Sequence, residues 1–136
     1  MKRTKKNFTL GLCMFIMLAS VITASAYNGK FAFNLSSGWF SPWDYSSVVY
    51  KASVDENPVV SATYTNDNTN SFTYDVVNSN SESRVTPMTK TGTFGLTQFS
   101  RNTTQQNYQY RLRVKRETGA WNSSASVEGL WNIDSY

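Results

Sequence analysis

The chain has 136 residues, with 13 Lys and Arg against 9 Asp and Glu, and it contains one cysteine and no histidine. Without histidine there is no Ser-His-acid triad and no imidazole metal site. A lone cysteine, Cys13, excludes an internal disulfide and a thiolate zinc cluster.

Lys2, Arg3, Lys5 and Lys6 form a basic start, and a nearly unbroken apolar run follows from Leu10 to Ile22. Ala24-Ser25-Ala26 comes next, a small-x-small site. This order is the pattern of a cleavable secretory signal peptide helix, with Ala24 and Ala26 as the small residues of the cleavage site. The apolar run falls short of the ~20 residues that a spanning helix needs, so no transmembrane segment is expected in the mature chain. Residues 1–26 therefore read as the signal, and 27–136 as a single exported domain. Cys13 lies inside the signal's apolar core and follows Leu12, where a lipoprotein signal carries a small residue. It reads as a small apolar filler rather than an acylation site. The signal holds four of the 13 cations and none of the acids, which leaves nine of each in the mature chain. A neutral domain lacks the cationic footprint of a nucleic-acid binder, so nucleic acid is not an expected partner.

The mature chain is rich in Ser, Thr, Asn and aromatic residues, a composition that favours strands over disorder. Alternation at period two, the sign of half-buried strands, recurs along it. Phe31, Phe33 and Leu35 form the first apolar row. Trp39-Phe40-Ser41-Pro42-Trp43-Asp44-Tyr45 then breaks the alternation with four aromatics around a proline, which predicts a loop or crossover. Val48, Tyr50, Ala52 and Val54 form the second row, and Val60, Ala62 and Tyr64 the third. Asn66-Asp67-Asn68-Thr69-Asn70 follows as a turn. It resembles a calcium loop only superficially, lacking the central glycine and the terminal Glu. Phe72, Tyr74 and Val76 form the fourth row, closed by the turn Asn78-Ser79-Asn80-Ser81. Phe94 and Leu96 give a weaker fifth. Tyr108, Tyr110, Leu112 and Val114 form the sixth, and Ala125, Val127, Gly129, Trp131 and Ile133 the seventh. No segment shows helical spacing with caps. About seven strands at roughly ten-residue spacing predict an all-β domain, an antiparallel β-sandwich or small barrel.

Two features could carry function. On the sixth strand the face opposite the apolar row carries Arg111, Arg113 and Lys115, cations about 7 Å apart along an extended chain. This one-sided ladder is either a solvated outer face paired with acids on neighbouring strands or a dock for an anionic polymer or lipid head group. Trp39, Phe40, Trp43 and Tyr45 are either a plug closing one end of the sandwich or an exposed platform for sugar rings or a membrane interface. The nine carboxylates are scattered apart from Asp55-Glu56, which gives an enzyme no support. No cofactor or metal is implied.

Ser124-Ala125-Ser126-Val127-Glu128-Gly129-Leu130-Trp131-Asn132-Ile133-Asp134 resembles the closing strand of the domain of unknown function 2712 family, small exported proteins of Gram-positive bacteria. Phe31-x-Phe33 and the stretch Asn57 to Tyr64 also fit that pattern, with Val59 where the family has Trp. The family carries no settled activity. A looser likeness in size, export and closing strand links the chain to lactococcin 972-type bacteriocins. The leading expectation is an exported non-catalytic β-sandwich, secreted or wall-associated, that binds a cell-envelope component or a protein partner. A bacteriocin-like toxin and a carbohydrate-binding module are the alternatives.

Overall fold

The computed structural model describes residues 29–36, 42–117 and 123–135. Ala24, Ala26, Trp39 and Phe40 lie outside them. Nine strands run in chain order: β1 (Gly29–Ser36), β2 (Asp44–Tyr45), β3 (Val49–Tyr50), β4 (Val59–Thr65), β5 (Ser71–Asn78), β6 (Met88–Thr91), β7 (Phe94–Gln98), β8 (Gln109–Arg116) and β9 (Ser124–Asn132). One sheet has the order β1-β9-β4-β7; in the other, β8 joins β2 and β3 on one side to β5 and then β6 on the other. Every pairing is antiparallel. Among the described residues no helix is long and apolar enough to cross a membrane.

The chain crosses repeatedly between sheets, and the long strands contribute their apolar alternates to one shared core. Phe31, Phe33 and Leu35 of β1 and Ala125, Val127 and Trp131 of β9 meet Phe72, Tyr74 and Val76 of β5 and Leu112 and Val114 of β8. Phe31 stacks on Phe33 and meets Tyr74 edge-on, which ties the two sheets ring to ring. The fold is thus the sandwich that the alternation predicts. Gly129 is required by contact. A Cβ there would stand 1.9 Å from the Ser61 carbonyl oxygen and 2.7 Å from the Phe31 ring.

Several apolar rows change phase. Val48, Tyr50 and Val54 are exposed, while Val49 and Lys51 are buried. The cause is an extra residue: β2 pairs Tyr45 with Arg113, and β3 pairs Val49 with Tyr110, so four steps on one chain oppose three on the other. A bulge of this kind turns every later side chain to the opposite face. The same happens in β4, where pairing to β9 shifts between Ala62 and Tyr64; Tyr64 is exposed and Thr65 buried. Tyr108 precedes β8 and is exposed, as is Leu96 on the edge strand β7. β5, between β8 and β6, is covered on both faces, and Thr73, Asp75 and Val77 are buried along with its predicted row.

Lys51, only 1% exposed, is the least expected member of the interior. Its Nζ donates to the carbonyls of Glu56 (2.6 Å) and Ile133 (3.1 Å), to Ser53 Oγ (3.3 Å) and to Asp134 Oδ1 (3.2 Å). Asp134 also accepts the backbone N–H groups of Ala52 and Ser53 and a short bond from the Ser53 hydroxyl. The cluster fastens the segment after β3 to the end of β9. Burial alone raises the Asp134 carboxyl, but the hydrogen bonds from Ser53, Ala52 and Lys51 outweigh it and hold the group below its ordinary value.

Trp131→Ala is expected to cost about 3 kcal/mol or more, the range of large aromatic truncations in cores, measured by urea unfolding followed by circular dichroism. A loss under about 1 kcal/mol would place Trp131 outside the packed core. A carboxylate whose pKa is lower folded than unfolded stabilises the fold above its unfolded value, and the contribution shrinks as pH falls below that value and is gone once pH passes the folded one. The urea midpoint should therefore drop between about pH 6 and pH 3. Asp134→Asn, less stable at the start, should drop less over that range, and an equal drop in both proteins would remove Asp134 as a source of the acid sensitivity.

Candidate functional site

The ladder and the aromatic loop, far apart in sequence, meet on one surface. β2 and β3 lie end to end along the same edge of β8, joined by Ser46, whose N–H donates to the Leu112 carbonyl (2.8 Å) and whose hydroxyl accepts from the Leu112 N–H (3.0 Å). Directly opposed residues of an antiparallel pair share a face. Tyr45 therefore stands beside Arg113, and Tyr50 beside Gln109, to which its hydroxyl is bonded. Trp43 completes the row, its ring 4.2 Å from the Arg113 guanidinium carbon and 5.0 Å from Lys115 Nζ. The outer face of this sheet thus bears two parallel stripes. One is aromatic, Trp43, Tyr45 and Tyr50; the other is polar and basic, Lys115, Arg113, Arg111 and Gln109. At ~3.4 Å per residue the basic stripe is about 20 Å long.

The three cations are not equivalent. Arg113 donates through Nε (3.0 Å) and Nη2 (2.8 Å) to Asp75 Oδ2, while Ser83 donates to Oδ1 (2.6 Å). The Asp75 side chain has no exposure. A carboxylate so placed requires its partner, and Trp43 covers the guanidinium, adding a cation–π contact in a partly dry site. Lys115 pairs with Glu117 at 2.9 Å. Burial alone raises Glu117, yet hydrogen bonds from Thr73 and Lys115 and the Lys115 charge outweigh it and lower its pKa. Arg111 is exposed and has no carboxylate partner among the described residues. Of the predicted ladder, then, Arg113 and Lys115 hold structure, and Arg111 is the cation left to solvent. Trp43 and Tyr45 belong to the same face.

The surface continues past Arg111 into a cleft that sequence reasoning did not single out. A depression of about 20 Å³ is lined by Val48 and Arg111, and it shares Ser79, Gln109 and Tyr110 with a groove of about 220 Å³. That groove lies between the turn after β5 and the loop before β8, and Asn78, Asn80, Arg84, Thr103, Gln105 and Tyr108 complete its walls. In the sequence these stretches carried only a turn signal, because Asn, Ser and Gln clusters mark loops whether or not they bind anything. A wider concavity of about 420 Å³ lies over the other sheet, where Lys30 and Glu128 sit among Ala32, Thr63 and Leu130. Its one aromatic, Phe31, is buried in the core, and no side-chain amide lines it.

The turn before β5 is held by hydrogen bonds of its own. Asp67 accepts from the Thr69 and Asn70 N–H groups, from the Asn70 side chain (2.7 Å) and from buried Arg116 (2.5 Å). Burial raises its carboxyl, but the bonds from Asn70 and Thr69 outweigh it and hold the pKa well below the usual carboxylate range. Asp55 and Glu56 are exposed in the turn before Pro58. Comparison with protein-family models, with curated proteins and with solved structures finds no match for the chain.

Arg113→Gln is expected to cost about 3–5 kcal/mol in denaturant, because it leaves Asp75 buried with only Ser83 as partner. Arg111→Gln should stay within about 0.5 kcal/mol of the parent, as exposed substitutions do. Similar losses for the two variants would contradict the division between structural and solvent-facing cations.

Proposed function

We propose that this protein is an exported, non-catalytic β-sandwich that binds an anionic component of the cell envelope along the outer face of the β8 sheet. The observation that carries this reading is the placement of the aromatic stripe beside the basic one. Flat rings offer apolar area to a chain lying across them. In the neighbouring stripe Arg111, exposed and without a carboxylate partner among the described residues, attracts negative charge at a position where salt screens it. The basic start, short apolar run and Ala24-Ser25-Ala26 site support export of the chain. The resemblance of the tail to the 2712 family fits the same location. In this chain its motif residues do structural work: Gly129 admits the Ser61 carbonyl, Trp131 fills the core, and Asp134 anchors Lys51.

Co-sedimentation of the purified protein with intact Gram-positive cells tests the reading. The protein should pellet at low salt and be released at about 1 M salt, where the screening length shrinks to roughly 3 Å. Arg111→Gln should pellet less and lose most of the salt dependence. Arg113→Gln is unsuitable for this purpose, since its effect on Asp75 confounds binding with unfolding. Failure to pellet, or pelleting that ignores both salt and Arg111, would overturn the proposal.

A further inference from the structure

The groove between the turn after β5 and the loop before β8 has a lining chemistry of its own. Its walls hold side-chain amides and hydroxyls, Asn80, Gln105 and Ser79 among them, with Arg84 as its one charged residue. Tyr108 stands at the rim with 61% of its surface exposed, too much for a core role. An amide presents a donor and an acceptor side by side, which matches a pair of neighbouring hydroxyls. An exposed tyrosine offers a flat apolar face with a polar tip. Together these fit a ring that is apolar on its faces and hydroxylated at its edge, which is the description of a sugar.

The groove is also preorganised. Thr103 donates from its N–H (2.8 Å) and its hydroxyl (2.9 Å) to the Arg84 carbonyl, which cross-links the two loops. Asn78 Oδ1 accepts the N–H groups of Asn80 (3.1 Å) and Glu82 (2.9 Å), fixing the turn. The Gln105 N–H donates to the Tyr110 hydroxyl at 2.7 Å, fixing the other loop to β8. Glu82 pairs with the Arg84 guanidinium at 2.6 Å, which offsets its charge. Among the described residues, three other than glycine have positive φ: Ser81 (62°), Arg101 (48°) and Asn107 (66°). All three lie in these two loops. Backbone held in sparsely populated conformations is concentrated at binding sites, where it fixes the positions of side chains that solvent alone would leave free.

We infer that this groove is a saccharide subsite, and that the ligand of the neighbouring face is an anionic glycan. One sugar would stack on Tyr108 with its hydroxyls on Asn80, Gln105 and Arg84, and its acidic neighbour would lie against Arg111. The inference rests on the envelope-binding reading and assigns its chemical class. The shared residues Ser79, Gln109 and Tyr110 make the groove and the Arg111 depression one continuous surface.

Titration calorimetry with two defined probes tests it: a hexuronic acid tetramer, which is anionic, and an N-acetylglucosamine tetramer, which is not. The expected result is tighter binding of the uronate tetramer. Tyr108→Ala should weaken both probes tenfold or more, whereas Arg111→Gln should weaken the uronate alone. Asn80→Ala repeats the Tyr108 test without removing a ring, and circular dichroism of each variant shows whether the fold persists. Binding of neither tetramer at millimolar concentration would overturn the inference, and so would binding that is indifferent to both Tyr108 and Asn80. Salt-sensitive pelleting with cells alongside such a result would leave the envelope-binding reading standing with a non-saccharide polyanion or a lipid head group as ligand. Loss of pelleting as well would remove both.

Discussion

The ion pair between Asp75 and Arg113 is the constraint on which the outer face of the β8 sheet depends. A carboxylate without solvent cannot be left unpaired, and β5 places Asp75 directly opposite Arg113 in register. That single pairing decides several things at once. It draws the turn after β5 back over the sheet, because Ser83 supplies the second partner of Asp75. It gives Trp43 a flat cation to cover, and so brings β2 against the end of β8. It also takes the middle cation out of the ladder, which leaves the exposed Arg111 next to the groove.

Ion pairs in this chain occupy the role that disulfides fill in many small exported domains. Lys51 and Asp134 join the segment after β3 to the C-terminal strand. Asp67 and Arg116 join the turn before β5 to the end of β8. Each links segments distant in sequence, and each is largely screened from water. Their physical consequence differs from that of a disulfide. They are indifferent to reductant, but they require ionised carboxylates, so the fold should be acid-sensitive where a cross-linked one would not be.

The proposed binding surface gains its character from the same economy of parts. Exposed aromatic residues, among them Tyr50, which the bulge between β2 and β3 turns outward, would be a liability on an ordinary surface. Here they lie beside the basic stripe and lead into a polar groove whose loops are cross-linked by their own hydrogen bonds. The face is apolar along one stripe, basic along the next and amide-lined at one end. Core and site are also separable: the strand that carries Arg111 outward carries Leu112 and Val114 inward.

How much of this was legible in the residues follows from the range of the interactions. Period-two alternation is a local property, and it identified β1, β5, β8 and β9 and the all-β class, because in those strands one face packs against the facing sheet over their full length. The rows at Val48–Val54 and Val60–Tyr64 failed at the bulges, since an inserted residue leaves no mark in the alternation itself and is defined only by the partner strand. β2 and β6 were invisible for a related reason. One is two residues long, and the other, Met88–Thr91, is an edge strand with little apolar surface to alternate. The sequence by itself determined the fold class, the candidate cations and the candidate rings. The tertiary structure alone decided which cation is free, that Lys51 is buried, and that Trp43 and Arg113 touch. Those outcomes depend on which carboxylate lies opposite which base across strands tens of residues apart, and nothing local in the chain encodes that distance.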